Sequence, residues 1–440
     1  MRIEKIEIEN FRGFKGKHEV VFQPDINVFV GTNGAGKSSI LDLIGMFLSL
    51  FTERIDPIST RRTLALRLGK YDINRKETIT QNTISIKAET KENKLWDDNE
   101  AVKWQIKRSI YDDRNNYDDE SLRKVRDILR MLRIGEMMNL PIIKYFHSSR
   151  RAIGYNYETR KGILSKGKDY SNPLAFYNDA FGISDDFFYW FSKEENKENR
   201  KKLKEGLNYS NPILDTVRKA LEVFFKSLST TKFTKIHIED ESDEKINSDS
   251  ENLFIEKNGE NFNFYQLSDG ERMTILLVAD IAFRLALANQ VNSEPLKGNG
   301  IVLIDEIETH LHPAWQQEII NSLKTTFPNI QFFITTHSPQ VLSSVDKRNV
   351  HIIEDFKFYK SPQTKGRDTN SILSEVFGVL ERPEYAYKDF NTLYKLIDDP
   401  ETEREAAIKL TEMKKTYGEN DPDWQRAKMH FDFLTAKPIE

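Results

Sequence analysis

The stretch GTNGAGKS, residues 31–38, decides the fold of this chain. It follows a short apolar run, INVFV, of the kind that forms a strand buried on both faces. A helical pattern begins at Lys37, because apolar residues then recur at spacings of three and four along one face. A glycine-rich loop between a buried strand and an amphipathic helix is the context that the pattern G-x-x-x-x-G-K-[ST] requires.

The residue types in this loop are those that bind phosphate. Glycines let successive backbone N–H groups converge on phosphate oxygens, and the helix that starts there adds the positive end of its dipole. Lys37 supplies a cation to the β- and γ-phosphates, and the Ser38 hydroxyl is a ligand for Mg²⁺. The sequence therefore predicts an ATP site with magnesium. Its predicted nucleotide-binding residues are Gly31, Asn33, Gly34, Ala35, Gly36, Lys37, Ser38 and Ser39.

A second carboxylate arm for the metal is predicted in IVLIDE, residues 301–306. Four apolar strand residues are followed by two acids at the carboxyl end of the strand, where ligands bind on an open α/β sheet. We expect Asp305 to hold Mg²⁺ and Glu306 to polarise the attacking water as the catalytic base. On its own this pattern is equally typical of a helix cap, and the phosphate loop favours the catalytic interpretation.

LSDGER, residues 267–272, places a serine and a glycine at the start of a helix, which makes a second anion-binding N-terminus. One chain cannot easily bring this helix and the first loop to the same phosphate. Ser268, Gly270 and Glu271 are therefore predicted to serve the ATP of a second subunit, and the alternative is a plain helix cap. FFITTHS, residues 332–338, is a buried strand that ends in a histidine. His337 is predicted to hydrogen-bond the γ-phosphate, and the alternative is a structural histidine.

Composition excludes several classes of protein. The 440 residues indicate two or three folding units, and 38% hydrophobic residues are enough for packed cores. The chain has 65 Lys and Arg against 69 Asp and Glu and no cysteine, which excludes a polycation, a disulfide framework and a cysteine zinc site. The alternating N-terminus is not a signal peptide, and no apolar run is long enough for a membrane span. We expect a cytoplasmic protein.

The remaining pattern predicts an α/β fold. Strands are expected near the N-terminus, with a glycine-containing turn at residues 13–16, and a β-meander at 79–110. Buried strands at 141–147, 301–304 and 331–335 alternate with helices at 271–289 and 313–326, which favours a parallel sheet. Four segments are predicted: 1–151 and 253–355 as the two halves of one domain, 152–252 as a helical insertion with an acidic loop, and 356–440 as a helical partner or oligomerisation region.

Four motifs occur along the chain in the order GTNGAGKS, LSDGER, IVLIDE and FFITTHS. The motifs and their order resemble those of ABC-type ATPases of the SMC/RecF-like branch. The resemblance implies an ABC-ATPase head, that is, a P-loop parallel sheet with an antiparallel β-subdomain, and a head-to-head dimer or a higher even-numbered homo-oligomer. It also implies that Arg12, in IEIENFRGF, contacts the adenine. The long coiled-coil insertion of that branch is absent. The Q-loop glutamine of the family has its candidate neighbourhood at 141–151, with Gln81 as a second possibility.

The stretch ETHLHPAWQ, residues 308–316, resembles the D-loop of compact relatives such as the overcoming-lysogenization-defect ATPases and the PtuA subunits of Septu and retron defence systems. His310 and His312 are interpreted as part of that D-loop and not as a zinc pair.

The resemblance to PtuA implies an ATPase sensor subunit that gates an HNH-type nuclease partner in anti-phage defence. An alternative is a RecF/SMC-like DNA-maintenance clamp without an effector, and an ABC transporter subunit is disfavoured. The chain after His337 is too short for a TOPRIM nuclease domain, and Asp421-Pro422-Asp423 is interpreted as a turn. If nucleic acid is cut, we expect a partner to cut it.

Two basic clusters are candidates for contact with retron RNA or DNA or with another nucleic acid. Clustered cations meet phosphates, and interleaved tyrosines stack on bases. The alternative is a solvated face balanced by neighbouring acids. The candidates are Arg123, Lys124, Arg126, Arg130 and Arg133, then Arg150, Arg151, Arg160, Lys161, Lys166 and Lys168 with Tyr155 and Tyr157.

Overall fold

The computed structural model describes residues 1–55, 67–87, 102–111, 116–117, 140–147, 186–228, 233–239, 252–290 and 292–435. Contacts divide the chain into two units, Met1–Ile372 and Leu373–Glu440. No helix in these ranges is long and apolar enough to span a membrane. The division of the chain into four segments remains a prediction.

A six-stranded sheet forms the centre of the first unit, in the order β14-β13-β3-β12-β11-β7. Every neighbouring pair from β13 to β7 is parallel, and β14 joins antiparallel at the edge. β3, β11 and β12 are buried along their whole length, which explains their nearly continuous apolar runs. The predicted α/β class is confirmed. The strands are β3 (Ile26–Val30), β7 (Ile142–Phe146), β11 (Gly300–Ile304), β12 (Ile330–Thr335), β13 (Val350–Glu354) and β14 (Lys357–Lys360).

A second, antiparallel sheet has the order β2-β1-β4-β5-β6. Its strands are β1 (Arg2–Phe11), β2 (Phe14–Val21), β4 (Ile79–Lys87), β5 (Val102–Ser109) and β6 (Asn116–Tyr117). Ile6 lies opposite Val20 on one side and Ile84 on the other, and all three are buried. The predicted meander is confirmed. The predicted turn at 13–16 is too long, because β2 already begins at Phe14.

The side chain of Gln331 joins the two sheets. Its Oε1 accepts from Ile3 N at 2.7 Å, and its Nε2 donates to Ile3 O at 2.9 Å and Gln23 O at 2.8 Å. Gln331 is fully buried in β12, so these bonds satisfy an amide that would otherwise be costly to bury. β1 is thereby fixed against the central sheet.

Helices cover the parallel sheet, and a small antiparallel sheet with the order β10-β9-β8 lies beside them. Helix α1 (Lys37–Ile55) packs on β11 and β12, and α3 (Pro212–Ser227) packs on α4 (Asp269–Ala288) and α5 (Pro313–Thr326). The remaining strands and the helices of this unit are β8 (Phe233–Glu239), β9 (Asn252–Lys257), β10 (Glu260–Asn263), α1 (Lys37–Ile55), α2 (Asp186–Glu205), α3 (Pro212–Ser227), α4 (Asp269–Ala288), α5 (Pro313–Thr326) and α6 (Pro339–Leu342). A further helix, α7 (Thr369–Phe377), spans the boundary between the units.

In the described part of the second unit, three helices follow α7: α8 (Glu384–Asp398), α9 (Glu403–Tyr417) and α10 (Pro422–Thr435). The apolar stripe of α8, formed by Phe390, Leu393 and Ile397, packs into their common core. Asp421 caps α10, since its Oδ1 accepts from the backbone N–H groups of Asp423 and Trp424 at 3.0 Å. Arg382 binds Asp421 and Asp423 through its guanidinium. Asp421-Pro422-Asp423 is therefore a helix start and not a free turn.

Candidate functional site

The glycine-rich loop leaves the carboxyl end of β3 and enters α1 at Lys37. Gly31 has φ +152°, and a Cβ there would lie 2.0 Å from Ile353 O, so no larger residue fits between the loop and β13. Gly34 has φ +81° at the exposed tip, a conformation that glycine adopts without strain. Asn33 is exposed beside it, whereas Ala35 and Gly36 are buried. The loop has the open tip and the glycine positions that a phosphate cradle needs.

Lys37 lies inside this loop. Its Nζ donates to Gly31 O at 3.1 Å and to Thr32 O at 2.9 Å. Burial lowers the pKa of Lys37, and the carboxylates of Asp305, Glu306 and Glu308 act in the opposite direction. The lysine and the acids after β11 therefore share one site.

The Asp305 carboxylate connects three segments of the chain. Its Oδ1 accepts from Ser38 Oγ at 3.1 Å and from Thr335 Oγ1 at 2.6 Å. Its backbone N–H donates to Phe146 O at 2.8 Å. These contacts exist because β7, β11 and β12 are parallel neighbours whose carboxyl ends reach the same edge of the sheet. A hydroxyl and a carboxylate oxygen that already meet are the hard ligands that Mg²⁺ takes, so the residues fit this ion.

Glu306 and His337 lie at the same edge. Glu306 N donates to Thr335 Oγ1 at 2.7 Å, and Thr309 Oγ1 lies 3.5 Å from Glu306 Oε2. His337 N donates to Glu308 Oε1 at 2.6 Å. Burial, followed by the charge of Lys37, lowers the pKa of His337, although three acids oppose this shift. Lys37 therefore lies close enough to the imidazole for its charge to affect the pKa of His337.

Arg12 follows directly after β1, and its side chain contacts the first turns of α1. Its Nη1 donates to Asp42 Oδ2 at 2.7 Å and to Ser39 Oγ at 3.3 Å, and its Nε donates to Asp72 Oδ1 at 2.8 Å. Burial opposes its charge, but the hydrogen bonds to the two aspartates raise the pKa of Arg12. Tyr145 Oη donates to the other Asp42 oxygen at 2.9 Å. The structure brings Arg12 next to Ser39, and no sequence pattern predicts its two acidic partners.

The LSDGER stretch starts α4, with Ser268 as the N-cap. The side chains of Ser268 and Glu271 form a reciprocal capping box, and Glu271 also pairs with Lys257. Burial would raise the pKa of Glu271, but its hydrogen bonds with Lys257 and Ser268 lower it. A Cβ on Gly270 would lie 2.2 Å from His310 O, so this glycine is required where α4 meets the D-loop. The hydrogen bonds of Ser268 run to its own helix, and the residue is exposed.

His312 caps α5, because its Nδ1 accepts from Ala314 N at 3.3 Å. His310 is exposed with φ +66°. No group of three or more metal-ligating side chains occurs in the part of the chain that the structure describes. Gln81 lies in β4 opposite Glu9 and Lys107, whereas the end of β7 lies beside Asp305. The predicted basic residues at 123–133 and 150–168 lie outside the described residues.

Sequence reasoning missed Thr335, Glu308, Asp42 and Asp72. Thr335 carried one signal, because a fully buried hydroxyl at the polar end of the apolar run FFIT needs a partner. The two aspartates carried none, since their partner Arg12 is 30 or more positions away in the chain.

A protein-family model described as "AAA domain, putative AbiEii toxin, Type IV TA system" matches residues 26–343. The chain belongs to this family. It is 29% identical to "Retron Ec83 probable ATPase" from Escherichia coli, over 87% of this chain and 77% of that protein. It is 26% identical to "Septu protein PtuA" from Bacillus mycoides (strain KBAB4), over 90% of this chain and 48% of that protein. The solved SMC head domain from Thermotoga maritima is 13% identical, with a TM-score of 0.42, over 82% of this chain and all of that one.

The chain is therefore an ABC-type ATPase related to those of retron and Septu anti-phage defence systems. The prediction of a nucleotide-dependent enzyme is confirmed at that level. The roles of the individual residues remain predictions.

Replacing Thr335 with valine would remove the donor to Asp305 and the acceptor for Glu306 N while keeping the shape of the side chain. We expect ATP turnover to fall at least tenfold, and the free energy of unfolding to fall by about 1–3 kcal/mol because buried groups lose their partner. Steady-state turnover and urea unfolding measure the two effects. Thr325→Val, at an exposed position of α5, is the matched control. Unchanged turnover in Thr335→Val would contradict the role given to this hydroxyl.

His337 predicts a pH dependence of stability. Its folded pKa lies below the ordinary value of 6.5, so the unfolded chain binds the proton more readily. The stability that this difference contributes is present above pH 6.5 and is lost as the pH falls through the folded pKa. Urea unfolding of the wild type and of His337→Gln between pH 7.5 and 5 should show the wild type losing more stability on acidification. Parallel curves would contradict the shift.

Proposed function

We propose that this ATPase binds ATP and Mg²⁺ in composite sites between two copies of the chain and that its nucleotide state gates a nuclease partner. Lys37 and the loop N–H groups bind the β- and γ-phosphates, and Arg12 contacts the adenine end beside Ser39. Ser38 and Asp305 hold the metal, which neutralises phosphate charge when bound. Glu306 orients the attacking water as general base, and His337 donates a hydrogen bond to the γ-phosphate.

One observation supports a site shared between two copies: most of the predicted site residues lie together at one sheet edge, whereas Ser268 is exposed. The P-loop, Asp305, Glu306 and His337 share one sheet edge, and their charges act on one another. Ser268 and Asp269 instead stand exposed at the tip of α4, a helix of 20 residues. An exposed helix N-terminus with a serine is suited to bind an anion from another molecule, and the γ-phosphate of a second copy is that anion.

The gating role is supported by the relatives. The chain is similar in sequence to a retron ATPase and to a Septu PtuA protein, which belong to defence systems. A site that closes around ATP and opens after hydrolysis gives such a system two states, and the partner responds to one of them. We infer an HNH-type nuclease as that partner and a nucleic acid as the trigger.

The composite site predicts a nucleotide-dependent dimer. Glu306→Gln should bind ATP without hydrolysing it, because the general base is lost while the phosphate contacts remain, so the dimer accumulates. Sizing by light scattering with ATP and Mg²⁺ should give twice the mass found with ADP. Adding Ser268→Arg should abolish the dimer and leave nucleotide binding by each chain intact. Gln266→Arg, at an exposed position just before the helix, is the control. Loss of nucleotide binding in Ser268→Arg would mean that the serine acts on its own chain.

The gating role predicts that partner activity depends on nucleotide state. The partner is the gene product that co-purifies with this chain when both are expressed from the native operon. Its rate of DNA cleavage in the complex with the Glu306→Gln chain and ATP should differ at least tenfold from its rate in the complex with the Lys37→Ala chain. Cleavage of supercoiled plasmid, followed on gels, measures this difference. Equal cleavage in the two complexes would leave an ATPase and remove the gate.

A further inference from the structure

Glu308 is the first residue of the ETHLHPAWQ stretch and lies in a tight turn that follows Asp305 and Glu306. Thr309 N donates to Glu306 O at 3.1 Å, and Leu311 N donates to Glu308 O at 2.9 Å. Glu306 and His310 have φ values of +49° and +66°, an uncommon backbone conformation for residues other than glycine. Such conformations persist where the surrounding structure enforces them, and they concentrate at functional sites. The turn therefore places the Glu308 side chain in a fixed position.

One oxygen of this carboxylate fixes the main chain of His337. Glu308 Oε1 accepts from His337 N at 2.6 Å, a short bond strengthened by the negative charge. The neighbouring main-chain donors have other partners, since Thr336 N binds Phe29 O at 3.1 Å and Ser338 N binds Thr336 Oγ1 at 3.0 Å. The hydrogen bond of Glu308 thus locks the residue that follows β12 to the turn that follows β11.

The other oxygen, Glu308 Oε2, is buried and has no hydrogen-bond partner among the described residues. A buried carboxylate oxygen without a donor is unfavourable, and native structures keep few such atoms without a reason. The negative charge of Glu308 acts to raise the pKa of both Lys37 and His337, against the effect of burial. It is therefore an acceptor held at the end of the site where the γ-phosphate would lie.

We propose that Glu308 is a positioning residue for recognition of the γ-phosphate. It holds the His337 main chain beside Lys37, and the imidazole thereby keeps the position from which it binds the γ-phosphate. This inference rests on the proposed ATP site and adds a specificity role to it: Glu308 lets the protein distinguish ATP from ADP.

The test measures nucleotide discrimination by the full-length chain. The ratio of the Kd for ADP to the Kd for ATPγS, obtained by calorimetry with Mg²⁺, should fall at least fivefold in Glu308→Ala. Glu308→Gln keeps an acceptor for His337 N and should stay within twofold of the wild type. Glu412→Ala, on an exposed face of α9, is the control. A wild-type ratio in Glu308→Ala would overturn the proposal, and so would a Glu308→Gln ratio as low as that of Glu308→Ala.

A double-mutant cycle identifies the route. If Glu308 acts through His337, adding Glu308→Ala to His337→Ala should change the ratio less than twofold, and a further fivefold loss would overturn the proposal. Where Glu308→Ala does not fold, Glu308→Met keeps the volume and removes the acceptor. Lys37→Ala separates this result from the site itself: equal nucleotide binding by Lys37→Ala and wild type would refute the ATP site, whereas failure of the Glu308 prediction alone leaves it intact.

Discussion

The buried hydroxyl group of Thr335 holds the site together. It donates to Asp305 Oδ1 and accepts from Glu306 N, so one side chain at the end of β12 orients both acids that follow β11. The parallel register makes this possible, because Ile304 lies opposite Ile334 and the next residue of each strand projects from the same edge. Ser38 reaches the same carboxylate oxygen from α1. These side-chain contacts add to the relation that the strand pairing of β3, β12 and β11 already sets between the phosphate loop and the acids.

The same strand also secures the other end of the nucleotide site. Gln331, near the start of β12, ties β1 to the central sheet through three hydrogen bonds of its amide. Arg12 follows directly after β1 and reaches Ser39 and Asp42 on α1. Because buried polar groups are stable only when satisfied, both contacts resist displacement of the antiparallel sheet. β12 thus sets the distance between the residue predicted to bind adenine and the acids predicted to bind the metal.

The sequence predicts the helices and strands of the parallel sheet well because their apolar periodicity is a local property. Helix α5 and strands β11 and β12 fall within one residue of the expected bounds. The turn after β1 was misplaced because Gly13 marks a close approach, not the length of a turn: a Cβ there would lie 2.2 Å from the Phe356 ring. Thr335, Glu308 and the partners of Arg12 were missed because their contacts join strands and helices far apart in sequence. The position of Ser268 relative to a second copy depends on an assembly that no spacing reveals.

Lys37 couples the phosphate loop electrostatically to the acids after β11 and to His337. Its ammonium group donates hydrogen bonds to Gly31 O and Thr32 O. Burial lowers the pKa of Lys37, and three neighbouring carboxylates oppose this effect. A phosphate that replaces these carbonyl oxygens as the hydrogen-bond partner of Lys37 adds negative charge beside those acids. The added charge favours protonated His337, whose pKa lies below its ordinary value because of burial and Lys37. His337 N is hydrogen-bonded to Glu308, and Gly270 packs against the turn that carries Glu308, so direct contacts connect His337 to the tip of α4.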